Sequence, residues 1–167
     1  MSPAAKVTGL WIYPVKSCRG ISLNEMQIGA TGPINDRRWM IVDEQNNFLT
    51  LRTVSKLAEI KTALQGPFLH LYAGNNKILV DTTQECAITE KVTVWADTFK
   101  AGVESHDINE ALSDFLSKSV KLVRYQKESF LHKPQRPYRP AKACVRCVAG
   151  NQPESPYNYR QFPTRHF

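Results

Sequence analysis

Lys16, Ser17 and Arg19 fall within four residues of one another, directly after an apolar run, and Gly20 closes the group. A cation, a hydroxyl and several backbone N–H groups delivered into one tight loop form a natural holder for an anion. Gly20 is read as the residue that frees the backbone to turn. A second pair of cations, Arg37 and Arg38, stands in Asn35-Asp36-Arg37-Arg38-Trp39 at the start of another apolar run. Phosphate suits such a set, because an arginine meets it with paired donors. Successive strand residues point to opposite faces, so only one of Arg37 and Arg38 reaches a given pocket. Arg52 is a further candidate cation. The competing reading makes Lys16 and Arg37 ordinary strand-end charges neutralised by Asp36 or Asp43.

The cysteines carry less. Cys18 sits among the loop cations, which would lower a thiol pKa and make it reactive. The preferred reading is a small packing residue under the loop. Cys86 has no partner nearby in Gln84-Glu85-Cys86-Ala87 and reads as inert. Cys144 and Cys147, with His132 and His166, make half of a zinc site, because structural zinc asks for four ligands in one closed set. His70, on a predicted strand, and His106, just before a predicted helix, read as structural. The sequence holds no Gly-x-Ser-x-Gly, no Gly-rich phosphate loop before a helix, and no His/carboxylate arrangement that points to a hydrolase.

The elements that must position these residues are mostly short strands. Residues 7–13 form an apolar run ended by Pro14, and 25–28 a second strand before Gly29 and Gly32-Pro33. Residues 38–42 and 48–51 flank the polar turn Asp43-Glu44-Gln45-Asn46-Asn47 and read as a hairpin. Strands are predicted at 57–64, 68–72, 77–80, 88–95, 99–103 and 120–124, with turn residues between them. One helix stands out: Ile108, Ala111, Leu112, Phe115 and Leu116 fall on a single stripe. Asp107 is read as its cap, with Glu110 as the reciprocal partner. The predicted class is mainly β, barrel-like, with many short strands and one amphipathic helix.

Beyond about Glu128 the pattern fails. Six of the ten prolines lie between Pro134 and Pro163, and apolar residues show neither the helix nor the strand period. This composition predicts a basic, Pro-rich, disordered tail over 129–167, after one domain over 1–128. The net charge of +7 comes mostly from that tail, where residues 134–167 hold six Lys or Arg against one Glu. A solvated tail explains this basicity better than nucleic-acid binding does. No apolar run reaches the length of a membrane span and no signal-peptide pattern opens the chain. The expectation is a cytoplasmic protein with reduced thiols.

Several motifs, in order, resemble the MOSC N-terminal β-barrel domain. They are Tyr13-Pro-Val-Lys-Ser-Cys-Arg-Gly20, Asp36-Arg-Arg-Trp-Met-Ile-Val-Asp43, Phe48-Leu-Thr-Leu-Arg52, Leu57-Ala-Glu-Ile60 and Val92-Thr-Val-Trp-Ala-Asp-Thr-Phe99. The resemblance runs roughly from residue 7 to 124. It implies a molybdenum-cofactor protein similar to the amidoxime-reducing component, in which a molybdopterin lies between this domain and a MOSC domain and N-hydroxylated compounds are reduced. By resemblance Lys16, Ser17 and Arg37 bind the pterin cofactor near its phosphate, and Cys147, in Cys144-Val145-Arg146-Cys147, matches the molybdenum-ligating cysteine. The MOSC half looks missing here. A separate MOSC domain or redox partner protein would then complete the site, and this short chain alone would not catalyse. Two other readings stay open: a non-catalytic module whose basic tail binds an acidic partner, and a truncated or frame-disrupted product.

Overall fold

The computed structural model describes residues 7–29 and 32–125. The chain begins with two small hairpins. Strand β1 (Leu10–Ile12) pairs antiparallel with β2 (Ile21–Leu23), and β3 (Ile28–Gly29) with β4 (Gly32–Pro33). Next come β5 (Trp39–Asp43) and a 3-10 helix (Ser55–Glu59). A three-stranded meander follows, of β6 (Lys61–Gln65), β7 (Phe68–Ala73) and β8 (Asn76–Asp81). The last elements are β9 (Ile88–Val94), β10 (Asp97–Val103), helix α1 (His106–Leu116) and β11 (Val120–Tyr125). Strands β5, β11, β10 and β9 form one antiparallel sheet in that order. The molecule is mainly β with one helix, as the patterning predicts. The hydrogen-bonded ladders among the described residues form four separate sheets and do not close into one ring.

Why β5 is an unbroken apolar run is visible in the packing. Trp39, Met40, Ile41 and Val42 are all buried. Trp39 and Ile41 face the larger core, with Val15, Leu57, Leu69, Leu112 and Leu122 among its members. Met40 and Val42 face a second cluster with Val92, Ala101 and Val123. A strand covered on both faces carries no polar alternation. Strand β8 shows the contrasting pattern: Ile78 and Val80 are buried while Leu79 between them is exposed.

Helix α1 lays Leu112 and Leu116 into the larger core. Its start differs from the predicted cap. Ser105 holds the cap position and Asp107 lies in the first turn, where its charge favours the positive helix end. Asn109 fastens this end instead: its Nδ2 donates to the Glu104 carbonyl at 3.0 Å and its Oδ1 accepts from Leu122 N at 2.8 Å. Ser113 does the same near the other end, donating to the Asn109 carbonyl at 2.7 Å and accepting from Val120 N at 3.0 Å. The helix and β11 are therefore joined by side chains as well as by apolar contact.

Three other expectations change. Residues 57–60 belong to the 3-10 helix and the bend after it; Leu57 and Ile60 are both fully buried, so a helical turn satisfies the apolar spacing that suggests a strand. The second strand is Ile21–Leu23, not residues 25–28. Phe48 pairs with Val42 through a single bridge, and Thr50–Thr53 is a turn closed by Thr53 N to the Thr50 carbonyl at 3.0 Å. The predicted tail, with Cys144, Cys147, His132 and His166, lies outside the described residues.

Candidate anion site

Backbone hydrogen bonds bring the two cationic motifs together. After β1 the chain runs alongside the entry to β5, where Val15 and Trp39 form a parallel bridge. Arg37 N donates to the Tyr13 carbonyl at 2.7 Å, Trp39 N to the Pro14 carbonyl at 3.0 Å, and Lys16 N to the Trp39 carbonyl at 2.9 Å. Residues more than twenty positions apart in sequence thus become neighbours. The loop is also tied from the other side: Arg19 N donates to the Ile60 carbonyl at 3.0 Å, and Thr62 Oγ1 donates to the Arg19 carbonyl at 2.8 Å.

Three residues hold the left-handed conformations that bend these segments, Ser17 at φ 69°, Asn35 at φ 63° and Arg37 at φ 51°. Such values are uncommon for residues with a side chain. Gly20 has a different duty from the one expected of it. A Cβ there would lie 2.7 Å from the Tyr13 ring, so Gly20 is needed for close approach, and the tight bend belongs to Ser17.

Asp36 anchors the guanidinium. Its Oδ1 accepts from Tyr13 N at 2.8 Å, and its Oδ2 accepts from Arg37 Nη1 in an ion pair. The guanidinium also lies over the Tyr13 ring, 5.4 Å from its centre. Arg37 is therefore partly neutralised by Asp36. Lys16 is not: among the described residues no carboxylate lies within ion-pair distance of it. Its ammonium rests 3.6 Å from the centre of the Phe48 ring. Burial and the charge of Arg37 lower its pKa to about 8, against the attraction that an aromatic face exerts on a cation. A half-buried lysine pushed toward neutrality by a neighbouring cation gains from an arriving anion.

The remaining candidates separate from this pair. Arg38 lies over Trp39, 5.4 Å from the ring, and its charge is felt with those of Arg124 and Glu104. That second cluster is buried and well satisfied. Arg124 Nε donates to Glu104 Oε1 at 2.7 Å, and its other nitrogens donate to the carbonyls of Asp81, Thr82 and Gln84. Trp39 Nε1 shares the same Glu104 oxygen at 2.9 Å. Arg52 is exposed and makes no ion pair among the described residues. Cys18 is buried in the larger core with its thiol pKa pushed up to about 12 by that burial; it packs under the loop and is not a reactive thiolate. Cys86 is half-buried, and burial with the Glu104 charge raises its pKa too. His70 is buried on β7, its Nδ1 without a partner among the described residues, and it stacks beside Tyr72. His106 opens α1, 3.9 Å from Glu110.

Phe48 and Asp36 gained their roles from the fold. Asp36 had a sequence signal, since it adjoins Arg37. Phe48 had none, because its contact with Lys16 spans thirty-two positions and follows from the single bridge to β5.

Comparison with known proteins places the chain. It is 29% identical over 141 residues to the human mitochondrial amidoxime-reducing component 1, a match covering 80% of this chain and 41% of that protein. It is 27% identical over 134 residues to the zebrafish molybdenum cofactor sulfurase, covering 73% of this chain and 16% of that one. The chain thus spans well under half the length of these relatives. In structure it is similar to a Bordetella bronchiseptica protein solved in solution, with a TM-score of 0.50 and 15% identity, over 61% of this chain and 87% of the other. Residues 4–119 match the family described as the MOSC N-terminal beta barrel domain, and with most of its length so matched the chain belongs to that family.

Proposed function

We propose that the chain is the cofactor-binding half of a MOSC-type oxidoreductase and that Lys16, Ser17 and Arg37 hold the phosphate end of a molybdopterin. One observation carries the reading: two cations from separate motifs are held side by side by backbone bonds, and one of them lacks a carboxylate. Ser17 stands at the bend next to Lys16. This donor set suits a phosphate dianion, which asks for fixed charge and directed N–H and O–H groups.

The fit is to the phosphate, not to the metal. A cysteine binds a metal as its thiolate, whereas the Cys18 thiol is buried and held protonated. No group of three His, Cys, Asp or Glu among the described residues could hold a metal ion. The metal, when the cofactor is bound, would supply the redox chemistry for reducing an N-hydroxylated compound. The residues of this chain would bind and orient the cofactor. A MOSC domain, the partner that the family's description implies, would close the pocket over it.

Inorganic phosphate titrated into the full chain, followed through the amides of Lys16 to Gly20 by NMR, tests the reading. Saturable shifts that disappear in Lys16→Ala and Arg37→Ala are expected. Unmoved amides at millimolar phosphate would sink it.

A further inference from the structure

Strand β8 has an open edge. It pairs with β7 on one side, and among the described residues no strand pairs with it on the other. The hairpin ladder fixes which groups face outward. Thr82 N donates to the Pro67 carbonyl at 2.8 Å, so Asn76, Ile78 and Val80, of the same parity, bond to β7. The N–H and C=O groups of Lys77, Leu79 and Asp81 then point away from the sheet. The Asp81 carbonyl fits this pattern, accepting from Arg124 Nη2 at 2.8 Å. Leu79 is also 47% exposed. An uncovered edge with an exposed apolar side chain is a template for a further strand.

Near its Asn76 end β8 borders a groove of about 400 Å³ shared with α1. Asp107, Glu110 and Asp114 line the helix side, against Lys77 on the strand side. None of these carboxylates pairs with a lysine or arginine among the described residues. The groove is therefore acidic, and it continues the open edge.

Two observations say what fills it. The described residues end at Tyr125, directly after Arg124, whose guanidinium reaches the Asp81 end of the edge. The chain thus leaves β11 close to Asp81. A segment running from there toward Asn76 is antiparallel to β8 and covers about 17 Å, or about five residues. The sequence that follows has the matching composition in the matching order. Residues 126–133 contain no proline, so each brings an N–H to a ladder. Phe130 and Leu131 are consecutive, so in either register one of them meets the face that carries Leu79. Lys133, Arg136, Arg139 and Lys142 come next with no acidic residue between them, and Pro134, Pro137 and Pro140 among them end strand pairing.

We propose that the chain's own residues 126–142 are seated on this edge and groove. Residues 126–133 add to β8 as an antiparallel strand, and the cations from Lys133 to Lys142 lie against Asp107, Glu110 and Asp114. The strand supplies main-chain bonds and the carboxylates supply charge complementarity. The seated segment closes an edge that would otherwise invite another chain. The inference is independent of the anion-site reading.

Amide hydrogen exchange on the full chain tests the strand. The N–H groups of Lys77 and Leu79 should exchange at least about tenfold more slowly in wild type than in Phe130→Pro, which removes a donor from the added strand and leaves the described domain untouched. The triple variant Asp107→Asn, Glu110→Gln, Asp114→Asn should lose most of the same protection, which assigns the charge contribution. Unmoved amides in β5 check the fold of each variant. A nitroxide on Cys144, in a chain carrying Cys86→Ser and Cys147→Ser with Cys18 buried, tests the source of the segment. It should broaden the amides of Asp107 to Asp114 of its own molecule, and leave sharp those of isotope-labelled, nitroxide-free chains mixed with it. Fast exchange of Lys77 and Leu79 in wild type would overturn the proposal. So would protection that survives either variant, or broadening in the mixed sample, the mark of a segment donated by a second copy.

Discussion

Arg37 and Arg38 are consecutive in the chain and belong to different clusters. Arg37 takes a left-handed turn just before β5, pairs with Asp36 and acts on Lys16. Arg38 lies over Trp39 and joins Arg124 and Glu104. One belongs to the proposed anion site and the other lies where its charge offsets a buried carboxylate.

That division predicts a clean split between two alanine variants. Arg37→Ala should weaken phosphate binding at least about tenfold, the loss of one charge-assisted contact. Arg38→Ala should leave phosphate affinity within about twofold, since its charge is spent elsewhere. Parallel phosphate titrations decide it, and equal losses in both variants would refute the assignment.

The pair of Arg124 and Glu104 makes the strongest stability claim. Both side chains are nearly fully buried, and Arg124 reaches the carbonyl of Asp81 at the end of β8 and those of Thr82 and Gln84 beyond it. Arg124→Met should cost about 3–5 kcal/mol, because Glu104 then keeps a buried charge without its ion-pair partner, with the Trp39 indole and the charge of Arg38 left to offset it. Glu104→Gln keeps an acceptor for that indole, and in the Arg124→Met background it should recover part of the loss, as removing the orphaned charge requires. Urea denaturation of the two single variants and the double variant measures this. Simple additivity of two losses would contradict it.

Lys16 gives a pH signature. Its folded pKa, about 8, lies below its ordinary value of 10.5. Between those values the unfolded chain binds more protons than the folded one, so this group's contribution to stability rises as pH climbs through that window. Wild type should therefore gain on Lys16→Met between about pH 7 and about pH 9.5 in urea denaturation. A bound phosphate reverses the shift by favouring the ammonium, so binding at about pH 8.5 should take up protons. Calorimetry in buffers of different ionisation enthalpy reads that uptake directly, and a buffer-independent heat would count against Lys16 as the contact.

Much of this architecture was legible because it is local. The Leu112–Leu116 stripe, the hairpin turns of β7–β8 and β9–β10, and the apolar run of β5 each announce themselves within a few residues. The 3-10 helix did not, since Leu57 and Ile60 satisfy a helical and an extended pattern alike. The cationic motifs were visible, and so was Asp36 beside them. The contact of Phe48 with Lys16 was not, for it depends on bonds between Asn46, Phe48 and Thr93 that no local pattern encodes. Similarly, Trp39, Glu104 and Arg124 meet only because β5 and β11 are neighbours in one sheet.

Ser17 separates loop shape from loop chemistry. At φ 69° its backbone is in the region that favours glycine. Ser17→Gly should keep the bend and change stability by no more than about 1 kcal/mol, relief of the left-handed conformation being offset by the greater freedom of the unfolded chain. Ser17→Val should destabilise by more, because a β-branched residue resists positive φ. If the hydroxyl donates to the anion, Ser17→Gly binds phosphate several-fold more weakly on an unaltered fold. If the backbone amides alone do the holding, Ser17→Gly binds as wild type does and Ser17→Val, which distorts them, does not. Phosphate titration of the two variants, each with its urea midpoint, distinguishes these cases, and undiminished binding in Ser17→Gly would remove the hydroxyl from the site.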